Sequence, residues 1–180
     1  MKLPGRWGFA LLCLSVLSAT QDRALSQSAP NAAVKSPQVR QVAYLKSSNP
    51  HPGDHFGCGG SLPGHIGNTI SISADGNYLA VGAHLDSSAA TGINGNQADH
   101  SLYGAGAVYV FVRTGNTWVQ QAYLKASNAG KGDNFGMNVS LSRDGATLAV
   151  AAPFESSGKS GINPPQDDDC DGAPSLRLEE

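Results

Sequence analysis

QQAYLKASN at residues 120–128 decides the fold, because QVAYLKSSN at residues 41–49 is nearly the same peptide. Two further pairs of peptides follow the two copies in the same order: GDHFG at 53–57 with GDNFG at 132–136, and ISISADG at 70–76 with VSLSRDG at 139–145. Peptides that recur in a fixed order indicate a repeat architecture, in which each unit buries its apolar faces against its neighbours. The sequence therefore predicts at least two units of the same kind.

The match between the two copies continues towards their ends: LAVGA at 79–83 with LAVAA at 148–152, and TGIN at 91–94 with SGIN at 160–163. The first copy is longer, because an insertion lies between Cys58 and Asn68 where the second copy has only Met137. Insertions that occur in one repeat and not in the next usually lie in loops. We predict a loop at residues 58–68.

Short β-strands are predicted inside each unit. Ile70 and Ile72 alternate with serines, which is the period-two pattern of a strand with one buried face. Asp75 precedes a glycine, and this dipeptide favours a tight hairpin turn. Residues 107–112, AVYVFV, are apolar on both faces and should be covered on both sides. A last strand is predicted at 118–124, and no segment has the 3.6-residue period of a helix.

Four antiparallel strands per repeat are typical of a propeller blade. The chain holds one whole blade at about 69–125, with a lone last strand before it and two first strands after it. Closed propellers have about four to eight blades. Residues 41–163 therefore predict an all-β fold of antiparallel four-stranded blades in an incomplete β-propeller. Such a chain should expose apolar blade flanks and associate with itself through them.

The composition agrees with many short strands joined by turns. Of 180 residues, 22 are glycine, while only 7% are aromatic and 14% are charged. The formal net charge of −2 argues against a nucleic-acid partner, because phosphate recognition needs a surplus of Lys and Arg on one face. Three cysteines are too few for a disulfide-framed mini-protein.

Two pairs of motifs resemble a known family. Phe56-Gly57 is followed by Gly82-Ala83-His84, and Phe135-Gly136 is followed by Ala151-Ala152-Pro153. Over about residues 41–163 the chain resembles FG-GAP repeats, the blades of the integrin-alpha-type β-propeller that also occur in many secreted bacterial proteins. The resemblance implies a propeller fold and a non-catalytic binding role. Two positions depart from the family pattern: His84 replaces a proline and Ala151 replaces a glycine.

The resemblance raises the question of calcium, because integrin-type blades often bind Ca²⁺ in a hairpin loop of the form D-x-D-x-D-G-x-x-D. Ca²⁺ takes about six to eight oxygen ligands, several of them carboxylates. The corresponding hairpins here carry one carboxylate each, Asp75 and Asp144, which we predict to be turn residues. Asp167–Asp171 with Gly172 form D-x-D-x-D-G, but Ser175 stands where a further acid is expected, so an acidic turn is predicted. We predict no metal and no other cofactor.

Other polar residues are interpreted as structural. Asp54 and Asp133 in the G-D-x-F-G peptides should accept local backbone hydrogen bonds, while Phe56 and Phe135 anchor these turns in the core. Ser61 follows two glycines but does not form the G-x-S-x-G nucleophile elbow. Five histidines match no spacing of metal ligands: His51, His55, His65, His84 and His100. We predict no catalytic residue and a protein that is not an enzyme.

Two covalent modifications are weighed from the sequence. Cys58 and Cys170 could pair in an oxidising compartment, but neither occupies a recurrent position of the repeat. Asn138-Val139-Ser140 is a glycosylation sequon. It starts a strand that we predict to be buried, which disfavours modification.

The first residues are typical of a secretory leader. Lys2 and Arg6 precede an apolar run at 7–19, which is too short for a membrane span of about 20 residues. We predict a signal peptide at 1–26, with cleavage after Ala19 as the alternative, and a flexible lead-in at 27–40. No second apolar segment follows, so the mature chain should be exported without a transmembrane segment, to the periplasm, the cell surface or the medium.

The second copy departs from the first after Asn163, where a strand like 106–111 is expected. Residues 164–180 instead form an aberrant acidic tail that ends in GAPSLRLEE. The genetic code offers an account. Codons for Ala-Val-Tyr-Val-Phe (GCA GTC TAC GTC TTC), read two bases later, contain AGT CTA CGT CTT, which encode Ser-Leu-Arg-Leu. We therefore expect that a frameshift cut the propeller short.

The sequence favours an exported, non-catalytic module that binds a protein or a glycan at the cell surface. The contacts should lie in the longest loops, Asp86–Tyr103 and 58–68, because loops on a rigid frame commonly carry recognition. One alternative is a propeller-type hydrolase, which would need a convergent set of acid, base or metal ligands. The other is an inactive remnant of a larger propeller protein.

Overall fold

Eight β-strands make up the regular secondary structure of the residues that the computed structural model describes, 40–59, 67–156 and 175–179. These residues belong to one of two compact units of the chain, Arg40–Glu180. The strands are β1 (Ile70–Ile72), β2 (Tyr78–Ala83), β3 (Gly92–Ile93), β4 (Ala107–Thr114), β5 (Thr117–Lys125), β6 (Asn138–Leu141), β7 (Leu148–Ala152) and β8 (Ser175–Glu179). The predicted all-β fold with antiparallel strands is confirmed. Among the described residues, no helix is long and apolar enough to cross a membrane.

The first sheet has the strand order β1-β2-β4-β5-β3, and every pair in it is antiparallel. Gly76, with φ +70°, makes the tight turn between β1 and β2, and Gly115, with φ +62°, makes the turn between β4 and β5. The first turn lies where the sequence analysis predicts it, and both positions suit glycine, which adopts positive φ without steric cost. The short strand β3 returns from the long connection between β2 and β4 to pair with β5.

The second sheet has the order β6-β7-β8 and repeats the pattern of the first. In the first sheet Ala83 pairs with Ala107, and at the equivalent position of the second sheet Ala152 pairs with Ser175. The backbone of Ser175–Glu179 therefore takes the place of a third strand, although the sequence analysis assigned it to a tail. Without β8, β7 would be an edge strand, and edge strands offer free N–H and C=O groups to any extended segment. The register agrees with the frameshift account, which stays a prediction.

The two sheets pack face to face around an apolar core. The first sheet contributes Ala80, Val108 and Leu124, and the second contributes Val139 and Val150, all of them buried. Burial of one such aliphatic side chain contributes about 1.5–3 kcal/mol. Backbone hydrogen bonds join the sheets as well: the Val139 N–H donates to the Asn68 carbonyl at 2.8 Å.

Gly82 in β2 lies against the backbone of Gly136, which precedes the first strand of the second sheet. A Cβ atom at this position would meet the carbonyl oxygen of Gly136 at 1.9 Å, a distance that no side chain tolerates. Gly136 itself has φ +88°, and its N–H donates to the Ala151 carbonyl at 3.1 Å. The Phe-Gly motif of the second copy therefore packs on the Gly-Ala motif of the first copy.

The opposite face of the first sheet is covered only in part. Phe56 and Leu45 pack there against a second apolar cluster that includes Tyr109 and Phe111. The sequence predicted a buried Ile70/Ile72 face, and this is wrong for the first sheet: Ile70 and Ile72 are 50% and 56% exposed. The two side chains are exposed because β1 lies at the edge of the sheet. The described residues that cover this face do not extend as far as β1.

The AYLK peptide of the first copy differs from that of the second. Tyr123 lies in β5 and is fully buried, whereas Tyr44 is 76% exposed and residues 40–46 form no strand. The lone strand expected there is not observed, because no described strand lies beside residues 40–46 to pair with them. The turns that follow are equivalent: His55 and Asn134 both have φ 56°.

The exposed Ile70/Ile72 face should mediate association with a second copy of this chain. Its counterpart in the second sheet, Val139 and Leu141, packs against the first sheet. We expect the double variant Ile70→Thr, Ile72→Thr to raise the dissociation constant of self-association at least about tenfold, since it removes apolar area at the contact. Light scattering over a concentration series measures this.

The matched control is Val119→Thr, which changes a β-branched side chain that is 56% exposed elsewhere on the surface. It should leave the association unchanged. A wild-type chain that remains monomeric at every concentration would contradict the expectation.

The close approach at Gly82 predicts a large effect of one methyl group. We expect Gly82→Ala to destabilise the fold by about 1–3 kcal/mol, because the Gly136 carbonyl must move away. The reversed exchange at the equivalent position, Ala151→Gly, should cost about 0.5–1 kcal/mol through backbone entropy alone. Urea unfolding compares the two variants, and equal costs would show that the sheets are not in contact at Gly82.

Candidate functional site

The connections between strands gather at two ends of the sheets. One end, which we call the loop end, holds residues 47–57, 84–106 and 127–137. The other, the hairpin end, holds the turns at 73–78, 114–117 and 142–147. The loop end contains the long connection that the sequence predicts as a contact region. Within the other predicted region, 58–68, residues 60–66 lie outside the described part of the chain.

The connection at 84–106, here named the long loop, is held by hydrogen bonds along its length. The Ser88 hydroxyl donates to the Asn96 carbonyl at 2.7 Å, and the Leu102 N–H donates to the Ser87 carbonyl at 2.7 Å. The Asn94 N–H donates to the Tyr123 carbonyl at 2.7 Å, which fixes the loop to β5. The long loop is thus a built structure and presents a defined surface.

The side chain of Asp86 anchors the long loop to strand β5. Its side chain is 1% exposed, and its Oδ1 lies 3.2 Å from the Lys125 Nζ, which is also buried. Oδ1 also accepts hydrogen bonds from the Tyr123 hydroxyl at 2.8 Å and the Ser88 N–H at 3.1 Å. A buried carboxylate needs such partners, because an unpaired charge in the interior is strongly unfavourable.

Tyr109 extends this cluster towards the first copy of the repeat. Its hydroxyl lies 2.5 Å from the Asn49 Oδ1 and 3.2 Å from the Asp86 Oδ2. The two oxygens are alternative acceptors of the single hydroxyl proton. The Asn49 side chain also donates to the Gln97 carbonyl at 2.8 Å. The peptide that follows AYLK in the first copy is thus bound to the long loop.

The protonation states of this cluster follow from burial. Desolvation, and then the negative charge of Asp86, raise the pKa of Tyr109 and of Tyr123 above the ordinary range. Both tyrosines are therefore neutral donors at any physiological pH. Desolvation lowers the pKa of Lys125, and the Asp86 carboxylate opposes that effect. The Asp86 carboxylate thus favours the charged form of Lys125, which burial disfavours.

Sequence reasoning did not single out Asp86, Tyr109, Tyr123 or Lys125. Two signals were present. A lysine stands in the same apolar context in both copies, in AYLK, and an acid follows the LAV motif in both, as Asp86 and Glu155. Glu155 is buried like Asp86, and its Oε1 accepts a hydrogen bond from the Asn128 side chain at 2.9 Å.

The predicted local roles of the G-D-x-F-G residues are confirmed. The Asp54 Oδ2 accepts the His51 N–H at 3.0 Å, and the Asp133 Oδ2 accepts the Gly130 N–H at 2.7 Å. Burial raises the pKa of Asp54, and the hydrogen bond from His51 opposes this shift. Of the two phenylalanines, Phe135 is fully buried and Phe56 is partly buried.

Four of the five histidines come together in two pairs at the loop end. The rings of His51 and His100 lie 4.5 Å apart, and those of His55 and His84 lie 5.3 Å apart. Burial, and then the neighbouring His55, lower the pKa of His84. The described residues contain no group of three or more side chains that could hold a metal ion. His65 lies outside them.

At the hairpin end, Asp75 and Asp144 are bound within their own turns. Asp75 accepts hydrogen bonds from the Ser73 hydroxyl at 2.5 Å and the Asn77 N–H at 3.0 Å. Asp144 accepts them from the Ser142 hydroxyl at 2.6 Å and the Ala146 N–H at 3.1 Å. The serine hydroxyls are the largest cause of the lowered pKa of each aspartate. Both are turn residues, as predicted.

The remaining candidates are placed as follows. Cys58 is exposed and forms no disulfide with another described residue, and Asn138 is exposed at the start of β6, where we predicted burial. The Asn138 Oδ1 accepts the Asn68 N–H at 2.9 Å. Ser61, Cys170 and Asp167–Asp171 lie outside the described residues.

Comparison with protein-family models identifies the class of repeat. The model described as FG-GAP repeat matches residues 118–163, which begin in β5 and include Phe135-Gly136 and the Ala-Ala-Pro motif at the end of β7. The chain therefore contains an FG-GAP repeat at residues 118–163. No curated protein and no solved structure matched the chain in the corresponding searches.

The buried ion pair predicts an asymmetric response to mutation. We expect Asp86→Ala to destabilise the fold by about 3–5 kcal/mol, because it leaves Lys125 charged and buried without a partner. Lys125→Met should cost less, since Asp86 keeps its donors from Tyr109, Tyr123 and Ser88. Urea unfolding of the full chain measures both.

The control is Asp75→Ala, which removes an exposed carboxylate from a turn and should cost about 1 kcal/mol or less. If Asp86→Ala cost no more than Asp75→Ala, the long loop would not depend on the buried carboxylate.

Proposed function

We propose that this FG-GAP repeat protein is an exported, non-catalytic binding module that presents its loop end to a protein or glycan partner at the cell surface. Export rests on the predicted leader at 1–26. The FG-GAP repeat at 118–163 suggests an integrin-like propeller module, and loops on a rigid frame commonly carry recognition.

Tyr103 is the observation that carries this proposal. Its side chain is 63% exposed, while its backbone is fixed between the two copies of the repeat. The Tyr103 carbonyl accepts the Gly132 N–H at 3.0 Å, and the neighbouring Gly104 carbonyl accepts the Asn134 N–H at 2.9 Å. A fixed, exposed aromatic side chain is the kind of residue that dominates binding energy at interfaces.

A second exposed apolar side chain supports the same surface. Ile93 in β3 is 63% exposed, although its strand pairs with the rigid β5. Large apolar side chains that are held rigidly lose little entropy on binding. Tyr103 and Ile93 on the long loop therefore favour a partner with an apolar as well as a polar surface.

The alternative of a hydrolase finds less support at this end. Asp86 and Lys125 are buried, and their polar atoms bind one another and their neighbours. Asp54 is held by the backbone of its own turn. A catalytic acid or base must reach substrate by hydrogen bonding, and these groups do not point to solvent.

The test compares two tyrosines. The full chain, Tyr103→Ala and Tyr44→Ala are measured for binding to a panel of immobilised glycans and to intact cells. We expect Tyr103→Ala to weaken the strongest binding at least about tenfold, as loss of an aromatic anchor does. Tyr44→Ala, which removes a tyrosine that is even more exposed (76% against 63%) and lies outside the loop end, should bind like the wild type.

Two results would contradict the proposal. One is wild-type binding no stronger than that of a denatured sample across the panel. The other is equal loss for Tyr103→Ala and Tyr44→Ala, which would place the contact elsewhere.

A further inference from the structure

We propose that a cleft at the hairpin end, opposite to the loop end, binds the carboxylate of an acidic sugar. The cleft has a volume of about 290 Å³ and is lined by Arg40, Gln41, Val42, Arg113, Asn116 and Trp118. This inference does not depend on the loop-end function, because it concerns a different set of residues.

The sheet itself positions the central pair of the cleft. Arg113 in β4 and Trp118 in β5 are directly opposite each other in the antiparallel register. The guanidinium carbon of Arg113 lies 5.9 Å from the centre of the Trp118 ring. This cation–π contact holds the guanidinium plane and limits its rotation. The Arg113 N–H donates to the Asn77 carbonyl at 2.8 Å, which fixes the strand as well.

The charges in the cleft are of one sign. The ion pairs found among the described residues are His51–Asp54 and Lys125–Asp86, so neither Arg40 nor Arg113 takes part in one there. The Arg113 Nε is also closed to solvent and has no hydrogen-bond partner in the described part of the chain. Buried donors in proteins are normally satisfied. An anion in the cleft would supply the counter-charge that the guanidinium lacks among the described residues.

A carboxylate matches the planar guanidinium of Arg113 better than a spherical anion does. A planar guanidinium forms two parallel hydrogen bonds to the two oxygens of a carboxylate. Arg40, which is exposed on the other side of the cleft, adds a second positive charge that attracts the same group.

The rest of the lining favours a sugar ring as the carrier of the carboxylate. The side-chain amides of Gln41 and Asn116 both donate and accept, as hydroxyl groups require. Val42 and the Trp118 indole offer apolar surface to the ring. A peptide strand that binds along a sheet needs a free edge several residues long, whereas this cleft lies beside the tip of a hairpin. The ligand class is therefore a uronic acid within a glycan.

The binding test uses trigalacturonic acid and its methyl ester as probes. The ester keeps the sugar rings and removes the charge. Calorimetric titration of the full chain should show saturable binding of the acid and at least about tenfold weaker binding of the ester. Raising the salt concentration should weaken binding of the acid, because the site is partly exposed.

The variants are chosen so that folding does not decide the outcome. Arg113→Lys keeps the charge and loses the two-pronged geometry, and Arg40→Ala changes an exposed residue outside any strand. Each should weaken binding of the acid at least about tenfold. The control Arg143→Ala removes an exposed arginine from another turn at the same end and should change the affinity less than about twofold.

Four results would overturn the proposal: no saturable binding of the acid by the wild type, equal binding of acid and ester, equal loss for Arg143→Ala and Arg40→Ala, or tighter binding of a short polyglutamate than of the sugar acid. Tyr103→Ala should leave this binding unchanged. The proposal for the cleft can therefore be tested independently of the proposal for the loop end.

Discussion

The contact between the backbones of Gly82 and Gly136 is the constraint on which the stacking of the sheets depends. The Gly136 carbonyl lies where a Cβ of residue 82 would be, and its N–H binds the next sheet through Ala151. The backbone of one residue, Gly136, thus contacts both sheets. The Phe-Gly peptide of one copy and the Gly-Ala peptide of the previous copy are therefore a single structural device, although they are far apart in the chain.

This constraint also explains one departure from the family pattern. Gly82 faces the second sheet, so it cannot carry a side chain. Ala151 is the corresponding residue in the second sheet, and its side chain is only partly buried. Residue 82 must be glycine because another peptide backbone crosses its strand there. Residue 151 can be alanine because no backbone of the described residues lies against its side chain.

Local features of the fold were predictable because local chemistry causes them. Alternation gave β1 and β6, the Asp-Gly pairs gave the hairpins, and Asp54 and Asp133 accept the short-range hydrogen bonds expected of them. Exposure was not predictable in the same way. Tyr44 and Tyr123 stand in nearly identical peptides, yet one is exposed and the other fully buried. What covers a side chain depends on the neighbouring strands, which the peptide itself does not encode.

The candidate sites were less accessible to sequence reasoning because their members are far apart in the chain. Asp86 and Lys125 meet through the register of β5 against the long loop, and Arg40 meets Trp118 through the path of residues 40–46. The long loop was singled out for its length, and its role in binding stays a prediction. The polar cluster that fixes it was not, because a lysine in a strand normally indicates an exposed position.

The asparagines that follow each AYLK peptide have a mechanical consequence. Asn49 donates to the Gln97 carbonyl and accepts from the Tyr109 hydroxyl. Asn128 donates to Glu155. Each asparagine therefore forms a hydrogen bond with the sheet, or the loop of the sheet, that follows it in the chain. A pulling force applied to the two ends of the chain would act on these hydrogen bonds one after another rather than on all of them together. The protein would then lengthen in steps, with each sheet giving way as a separate event.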